Sequence, residues 1–440
     1  MYHRLRVGLL VVFCLSIGNL FGLFAQHSTD YYSLSMVGNV GNGIFAPYYL
    51  SANKHGLVTH SKSGYLRASV FKGLEMNKRF SYEFGIDLVG LMSSTSPVSY
   101  YSDGNLKTYN PGVSSFLIQQ AYIGMKYRMI FISAGCRELT DEVVNFELSS
   151  GGLVWSGNAR PIPQVRAGFI DFVDIPFTKG WVQIKGELAY GKFMDNDFLR
   201  DHYNYYNQYI TTDALYHHKS ISFRSNPDKP FVVTIGAELA AQFGGTKRYY
   251  KEGVLIDSLT MKSPTRLKDF FKILFPSSGD GQTNEGDQAY YYGNHVGQWN
   301  LSAEYRFKDN SSVRGYFEWY YDDASGMGKF NGWDGLWGLE YKSGKKNWLS
   351  NVVLEYLDMT NQSGPLNWCP SDYNEPKLDI EATGADDYYN NYFYNGWAHY
   401  GLSNGTAMAK SLLYNTDGYM RYKYNRIRGV HLGASGYIAP

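Results

Sequence analysis

The sequence is built from segments whose side chains alternate, one residue at a time, between apolar and polar or charged. In residues 181–190, Val182, Ile184, Gly186, Leu188 and Tyr190 fall on one side, and Gln183, Lys185, Glu187 and Ala189 on the other. Residues 80–88 set Phe80, Tyr82, Phe84, Ile86 and Leu88 against Ser81, Glu83, Gly85 and Asp87. Residues 299–307 set Trp299, Leu301, Ala303, Tyr305 and Phe307 against Asn300, Ser302, Glu304 and Arg306. Side chains of a strand point alternately to its two faces, so each segment reads as a strand with one greasy and one wet face. The open question is whether the greasy face meets a second sheet or lipid.

Clear strand candidates cover residues 64–76, 80–91, 115–126, 164–172, 181–192, 230–243, 299–307, 312–321, 336–342, 351–357 and 419–425. Tight polar turns join some neighbours (Asn77-Lys78-Arg79, Lys308-Asp309-Asn310), and long aromatic connections join others (196–215, 364–388). Short turns alternating with long loops are the habit of an outer-membrane barrel. Segments of 9–11 residues match a tilted membrane strand, and aromatics at strand ends (Trp299, Trp319, Tyr320, Tyr321, Tyr341) suit an interfacial girdle. The expected fold is all-β, a large antiparallel transmembrane barrel of roughly 16–18 strands. One segment departs from it: residues 264–275 place Leu267, Phe270, Phe271 and Leu274 at helical spacing, a short inserted helix.

Residues 1–25 read as a signal peptide: Arg4 and Arg6 precede an apolar run, and Ala25-Gln26 offers a cleavage point. An N-terminal membrane anchor is the alternative. Residues 26–440 then form one domain. The formal net charge is +1 and no basic stripe exists, so no nucleic-acid partner is expected. Cys136 and Cys369 follow the leader, leaving a disulfide and two free thiols both open.

In a barrel the charged faces line the lumen: Glu83, Asp87, Lys185, Glu187, Glu238, Glu304, Arg306, Arg314, Glu318, Glu340, Lys342, Glu355, Arg421 and Lys423. Both signs mix there, which suits a self-bonded interior better than the single-sign ring of a selective channel.

Five strings resemble the Wzi family of capsule-assembly outer-membrane proteins, in its Bacteroidetes branch. They are LSSGGLVWSGNARPIPQV at 148–165, NGWAHYG at 395–401, FAPYYLSANKHG at 45–56, LYHHKSISFR at 215–224 and LKDFFKILFPSSG at 267–279. The resemblance implies a large barrel without an open channel, a small periplasmic helical element, and a lectin-like role in attaching capsular polysaccharide. The chain ends GASGYIAP, without the usual aromatic last residue. The expectation therefore includes either further final strands or an atypical last one.

Sugar recognition uses aromatic faces with amides and carboxylates around them. On that chemistry the candidate carbohydrate-binding residues are Tyr291, Trp333, Trp337, Tyr389, Asn390, Asn391, Tyr392, Trp397 and His399. Ser156, Asn158, Arg160, Pro161 and Pro163 lie in the most recognisable string and are expected to be structural. No catalytic residue, metal or cofactor is expected: adjacent His217 and His218 face opposite ways on a strand, and residues 280–287 lack the acidic twelfth ligand of a calcium loop. No nucleophile elbow, phosphate loop or HExxH motif occurs. The expected partners are surface polysaccharide and outer-membrane lipid, with the protein a monomer. A porin or transport channel is the alternative, and a rim-active hydrolase the second.

Overall fold

The computed structural model describes residues 30–102, 105–110, 114–140, 143–202, 206–289, 291–322, 327, 332–362 and 386–438. The leader, Cys369 and most of the 364–388 connection lie outside the described residues.

One antiparallel sheet of 17 strands organises the chain. Three of them are two-residue segments. The longer strands are β1 (Asp30–Phe45), β2 (His60–Lys72), β3 (Phe80–Ser93), β4 (Phe116–Tyr127), β5 (Ile130–Cys136), β6 (Gln164–Phe169) and β7 (Val182–Lys192), then β8 (Gln208–Ser225), β9 (Phe231–Lys251), β10 (Asn294–Arg306), β11 (Ser312–Asp322), β12 (Gly335–Lys342), β13 (Asn351–Asp358) and β14 (Arg428–Ser435). Each pairs with the next in this order, from β1–β2 round to β13–β14. The strand number agrees with the alternation and spacing of the sequence.

The connections alternate between the two ends of the sheet. β2–β3, β4–β5, β6–β7, β8–β9, β10–β11 and β12–β13 are joined at one end (the short-turn end), by links of two (128–129) to twelve (170–181) residues. The other connections lie at the opposite end (the long-connection end) and run from twelve residues (323–334) up to the excursion between β13 and β14. The helix Leu267–Leu274 belongs to the long β9–β10 connection. It packs over the ends of β7–β9: the Tyr190 hydroxyl donates to Phe270 O at 2.9 Å, and the Lys219 ammonium donates to Leu274 O at the helix C-terminus. It lies at the long-connection end and is the short inserted helix expected over residues 264–275. A second short helix, Glu285–Ala289, follows in the same connection.

The two faces of the sheet are inverted relative to a soluble protein. On β3 the exposed side chains are Phe80, Tyr82, Ile86, Leu88 and Met92, while Ser81, Glu83 and Asp87 are buried. Ile86 is 52% exposed and its neighbour Asp87 0%. The apolar belt continues round the sheet through Leu34, Leu66, Ile123, Ile132, Val165, Ile221, Ile235, Leu301, Leu339, Leu354 and Leu432. Exposed aromatics rim it at the short-turn end (Tyr127, Trp181, Phe231, Tyr305, Tyr341). No described helix is long and apolar enough to cross a membrane.

The wet face encloses polypeptide. The string after β5 and the long excursion before β14 both return from the long-connection end and pack against the inner face. Glu355 on β13 accepts from Ser149 Oγ at 2.6 Å, Ser150 N at 2.7 Å and Tyr316 Oη at 2.5 Å. Glu318 on β11 accepts from Leu153 N at 2.8 Å, and Gln298 on β10 from Val154 N at 3.1 Å. Glu340 on β12 accepts from Asn145 and pairs with Arg314. The second segment is held alike: Asp322 accepts from Tyr389 N at 3.2 Å and Gln242 donates to Gly396 O at 3.1 Å. Among the expected lumen charges, Arg421 and Lys423 are not on a strand. Residues 419–425 are irregular, with one bridge from Tyr424 to Lys410: Tyr422 packs on Tyr389 in the inner segment, while Arg421 bonds Tyr392 O and Lys423 pairs with Asp417.

Conversely, β8 starts at Gln208, inside what reads as a connection in the sequence. Its first residues are buried on both faces (Ile210, Thr211, Thr212, Ala214), which erases the period-two signal.

Glu355→Ala should strand three buried donors. Each unsatisfied group costs roughly 1–3 kcal/mol, so the inner segment should loosen by several kcal/mol. Limited proteolysis should then cut within residues 145–155, where the wild type resists; unchanged resistance would contradict the anchoring role of Glu355.

Candidate functional site

Sequence chemistry shapes one end of the interior. Pro161 and Pro163 lack an N–H and push Arg160 and Ile162 into extended backbone, so residues 160–163 run as a wall and not as a ladder strand. Ala398–His399 and Leu402–Ser403 pair as a miniature hairpin. Its two turn residues, Tyr400 and Gly401, have φ of 51° and 73°, the backbone of a primed two-residue turn. Gly56, at φ 73°, lets the chain pass close: a Cβ there would lie 3.0 Å from Arg160 Cγ and 3.1 Å from Leu402 Cδ1.

These elements border a cavity of about 720 Å³, lined among others by Arg160, Pro161, Pro163, His399 and Tyr400, with Phe116, Phe198 and Met194 opposite. Phe116 and Met194 are exposed, so the cavity meets the surface. The Arg160 guanidinium stacks 4.4 Å from the Tyr400 ring, and burial pulls the guanidinium below its ordinary value. Tyr400 Oη donates to Met194 O at 2.8 Å. His399 Nδ1 lies 2.9 Å from Arg160 O, and Met194 N donates to His399 Nε2 at 3.1 Å, which fixes the Nδ1–H tautomer. Burial lowers this imidazole to about 4, so it is neutral beside Arg160. Asp195 is buried, accepts from Tyr400 N at 3.0 Å, and is raised by burial to about 7.

Four of the residues singled out in the sequence, Arg160, Pro161, Pro163 and His399, thus line one cavity. Ser156 and Asn158 lie buried behind it: Ser156 Oγ donates to Gly405 O at 2.7 Å and Asn158 Nδ2 to Ser403 O at 3.1 Å. Trp397 and Tyr389 are fully buried; the indole N–H donates to Val154 O and the phenol to Leu153 O, both at 2.6 Å, stitching the two inner segments together. Asn390 and Asn391 fix the backbone around them, through Tyr422 and through Phe393 and Tyr394. Trp333 and Trp337 stand apart, in an aromatic patch on the outward face: Trp333 stacks on Trp319 at 5.0 Å and Trp337 on Phe317 at 3.8 Å. Tyr392 is exposed beneath Arg421, and Tyr291 lies beside His295. Tyr400 and Asp195 were not singled out by sequence; the only signal for Tyr400 is its place in the turn of NGWAHYG. Among the described residues no three His, Cys, Asp or Glu converge as a metal site. His217 and His218 do face opposite sides, one against Tyr190 and one against Glu238.

No known family matches the sequence, and no curated protein does. Among solved structures the chain is similar to Wzi of Escherichia coli, an outer-membrane protein involved in group 1 capsule assembly, described as a carbohydrate-binding β-barrel. Identity is 13% and the TM-score 0.48, over 87% of this chain. The match spans 65% of the length of that protein. Mutants of the Rh. blastica porin also match, at 10–12% identity and TM-scores of 0.26–0.27, over 74% of this chain and 94% of theirs.

A carboxyl raised above its unfolded value keeps a proton that the unfolded chain loses. Its contribution is whole below about 4 and is lost as pH rises towards 7. Asp195 should therefore cost the fold up to about 4 kcal/mol between pH 4 and pH 8, at about 1.36 kcal/mol per unit. Denaturant unfolding of the wild type and Asp195→Asn should diverge over that window, the variant losing less stability. Parallel curves would contradict the assignment.

Proposed function

We propose that the chain is a filled outer-membrane β-barrel that binds surface polysaccharide and helps assemble or hold a capsule, without enzymatic activity. The observation that carries this reading is the inverted sheet: an apolar belt outside, and carboxylates inside that bond returning polypeptide. An exposed apolar surface of that extent needs a lipid partner. Among the described residues β1 pairs only with β2 and β14 only with β13, so closure of the barrel in lipid is part of the proposal and is not seen in the sheet pairing. The interior argues against conduction, since Leu153, Val154, Tyr389 and Trp397 fill it with no exposed surface of their own. What is left for function is the long-connection end, where aromatics, amides and a cationic cavity wall gather. That mixture suits glycan. The strings that resemble the Wzi family point the same way.

Two outcomes are expected. Ile86→Arg, on the outward face of β3, should cost about 2–4 kcal/mol in lipid vesicles. An exposed site in water would shift by no more than about 0.5 kcal/mol, and a change that small would sink the membrane reading. Deleting the gene in its host should leave polysaccharide synthesis intact and release the polymer into the medium. Normal retention in the deletion strain would count decisively against the capsule role.

A further inference from the structure

We propose that the cavity beside Arg160 takes an acidic sugar, with the sugar carboxylate seated on the Arg160 guanidinium. The proposal rests on the polysaccharide reading above and names the class of saccharide.

The reason is an electrostatic asymmetry. Most arginines that point inward from the strands hold a carboxylate: Arg67 has Asp87 and Glu138, Arg166 has Glu187, and Arg314 has Glu340, while Arg224 gives its guanidinium N–H groups to Gln183 Oε1 instead. Arg137, at the end of β5, has Glu83. Arg160 is as enclosed, yet among the described residues only the Tyr400 phenol acts on it. The neighbouring imidazole is neutral, and Asp195 bonds the Tyr400 backbone instead. A desolvated cation without an anion is expensive, and a bound carboxylate would relieve it.

The cavity has the room and the walls for a sugar. About 720 Å³ lies in the usual range of small-molecule sites, about 300–1,000 Å³. The Tyr400 ring holds one face of the guanidinium, which leaves the N–H fork free for a planar carboxylate. Pro161, Pro163 and Phe198 supply apolar surface for a pyranose face.

The test uses the full chain in detergent micelles, titrated with oligogalacturonate, with the same oligomer after carboxyl reduction, and with lipid A in mixed micelles. The acidic oligomer should bind at least about 30-fold more tightly than its reduced form, and increasingly weakly as salt rises. Arg160→Ala should remove that preference, and Arg160→Lys, which keeps charge without the fork, should retain part of it. Heat-modifiable gel mobility checks that both variants fold; if Arg160→Ala does not, Arg160→Lys and the reduced oligomer decide. Equal binding of acidic and reduced oligomers overturns the carboxylate seat while leaving glycan binding standing. Saturation by lipid A with no binding of either oligomer overturns the sugar assignment and the polysaccharide reading together.

Discussion

Everything in this fold depends on carboxylates that face inward from the sheet. Asp87, Glu318, Glu340 and Glu355 are almost wholly buried, in a position where charge is costly unless it is fully bonded. They are bonded, either to arginines on neighbouring strands or to backbone N–H groups of polypeptide that returns into the interior. The second kind of partner has a consequence. A strand carboxylate that holds the amide of Leu153 or Ser150 also fixes where those segments lie. Filling the interior is thus part of satisfying the sheet.

The same constraint explains the outside. Once the polar side chains turn inward, alternation leaves the apolar ones no second sheet to meet. Ile86, Ile123, Ile235, Leu301 and Leu354 therefore stand exposed around the sheet, with aromatics towards its ends. The buried aromatic core is made by the returning segments together with inward side chains of the strands, among them Tyr216, Tyr316 and Tyr320. Trp397, Tyr389, Leu153 and Val154 pack there as side chains pack in a soluble domain, inside a shell of opposite polarity. The cavity beside Arg160 is the place where that inner packing gives way to a polar wall.

Much of the shell was legible in the sequence, for a physical reason. A strand with lipid on one side and bonded charge on the other carries the strongest possible period-two contrast, as in residues 80–91 and 181–192. The contrast fades where both faces are covered, as at the start of β8, and β8 as a whole is not among the strand candidates; nor are β1 and β5. It fades too where glycine and small residues dilute it, as in β14. The helix at Leu267–Leu274 was readable because its own period is unambiguous. The site was less legible. NGWAHYG stands out as a string, but nothing in it says that Tyr400 turns back onto Arg160, nearly 240 residues earlier in the chain. Aromatic richness also misled in kind: Tyr389 and Trp397 look like ligand platforms in a list of residues, yet they bond the inner segments. Trp333 and Trp337 join the outward aromatic patch. Burial separates these roles, and burial is a property of the fold.

The central claim is that the sheet is filled by its own chain. Electrical recording from the purified full-length protein in a planar lipid bilayer tests it most directly. The account predicts insertion without stable conductance steps at ordinary voltages, because the inner segments are held by bonds from four or more strands. Steady, ohmic open-channel steps in the wild-type protein would contradict it, and would place the returning segments outside the conducting path.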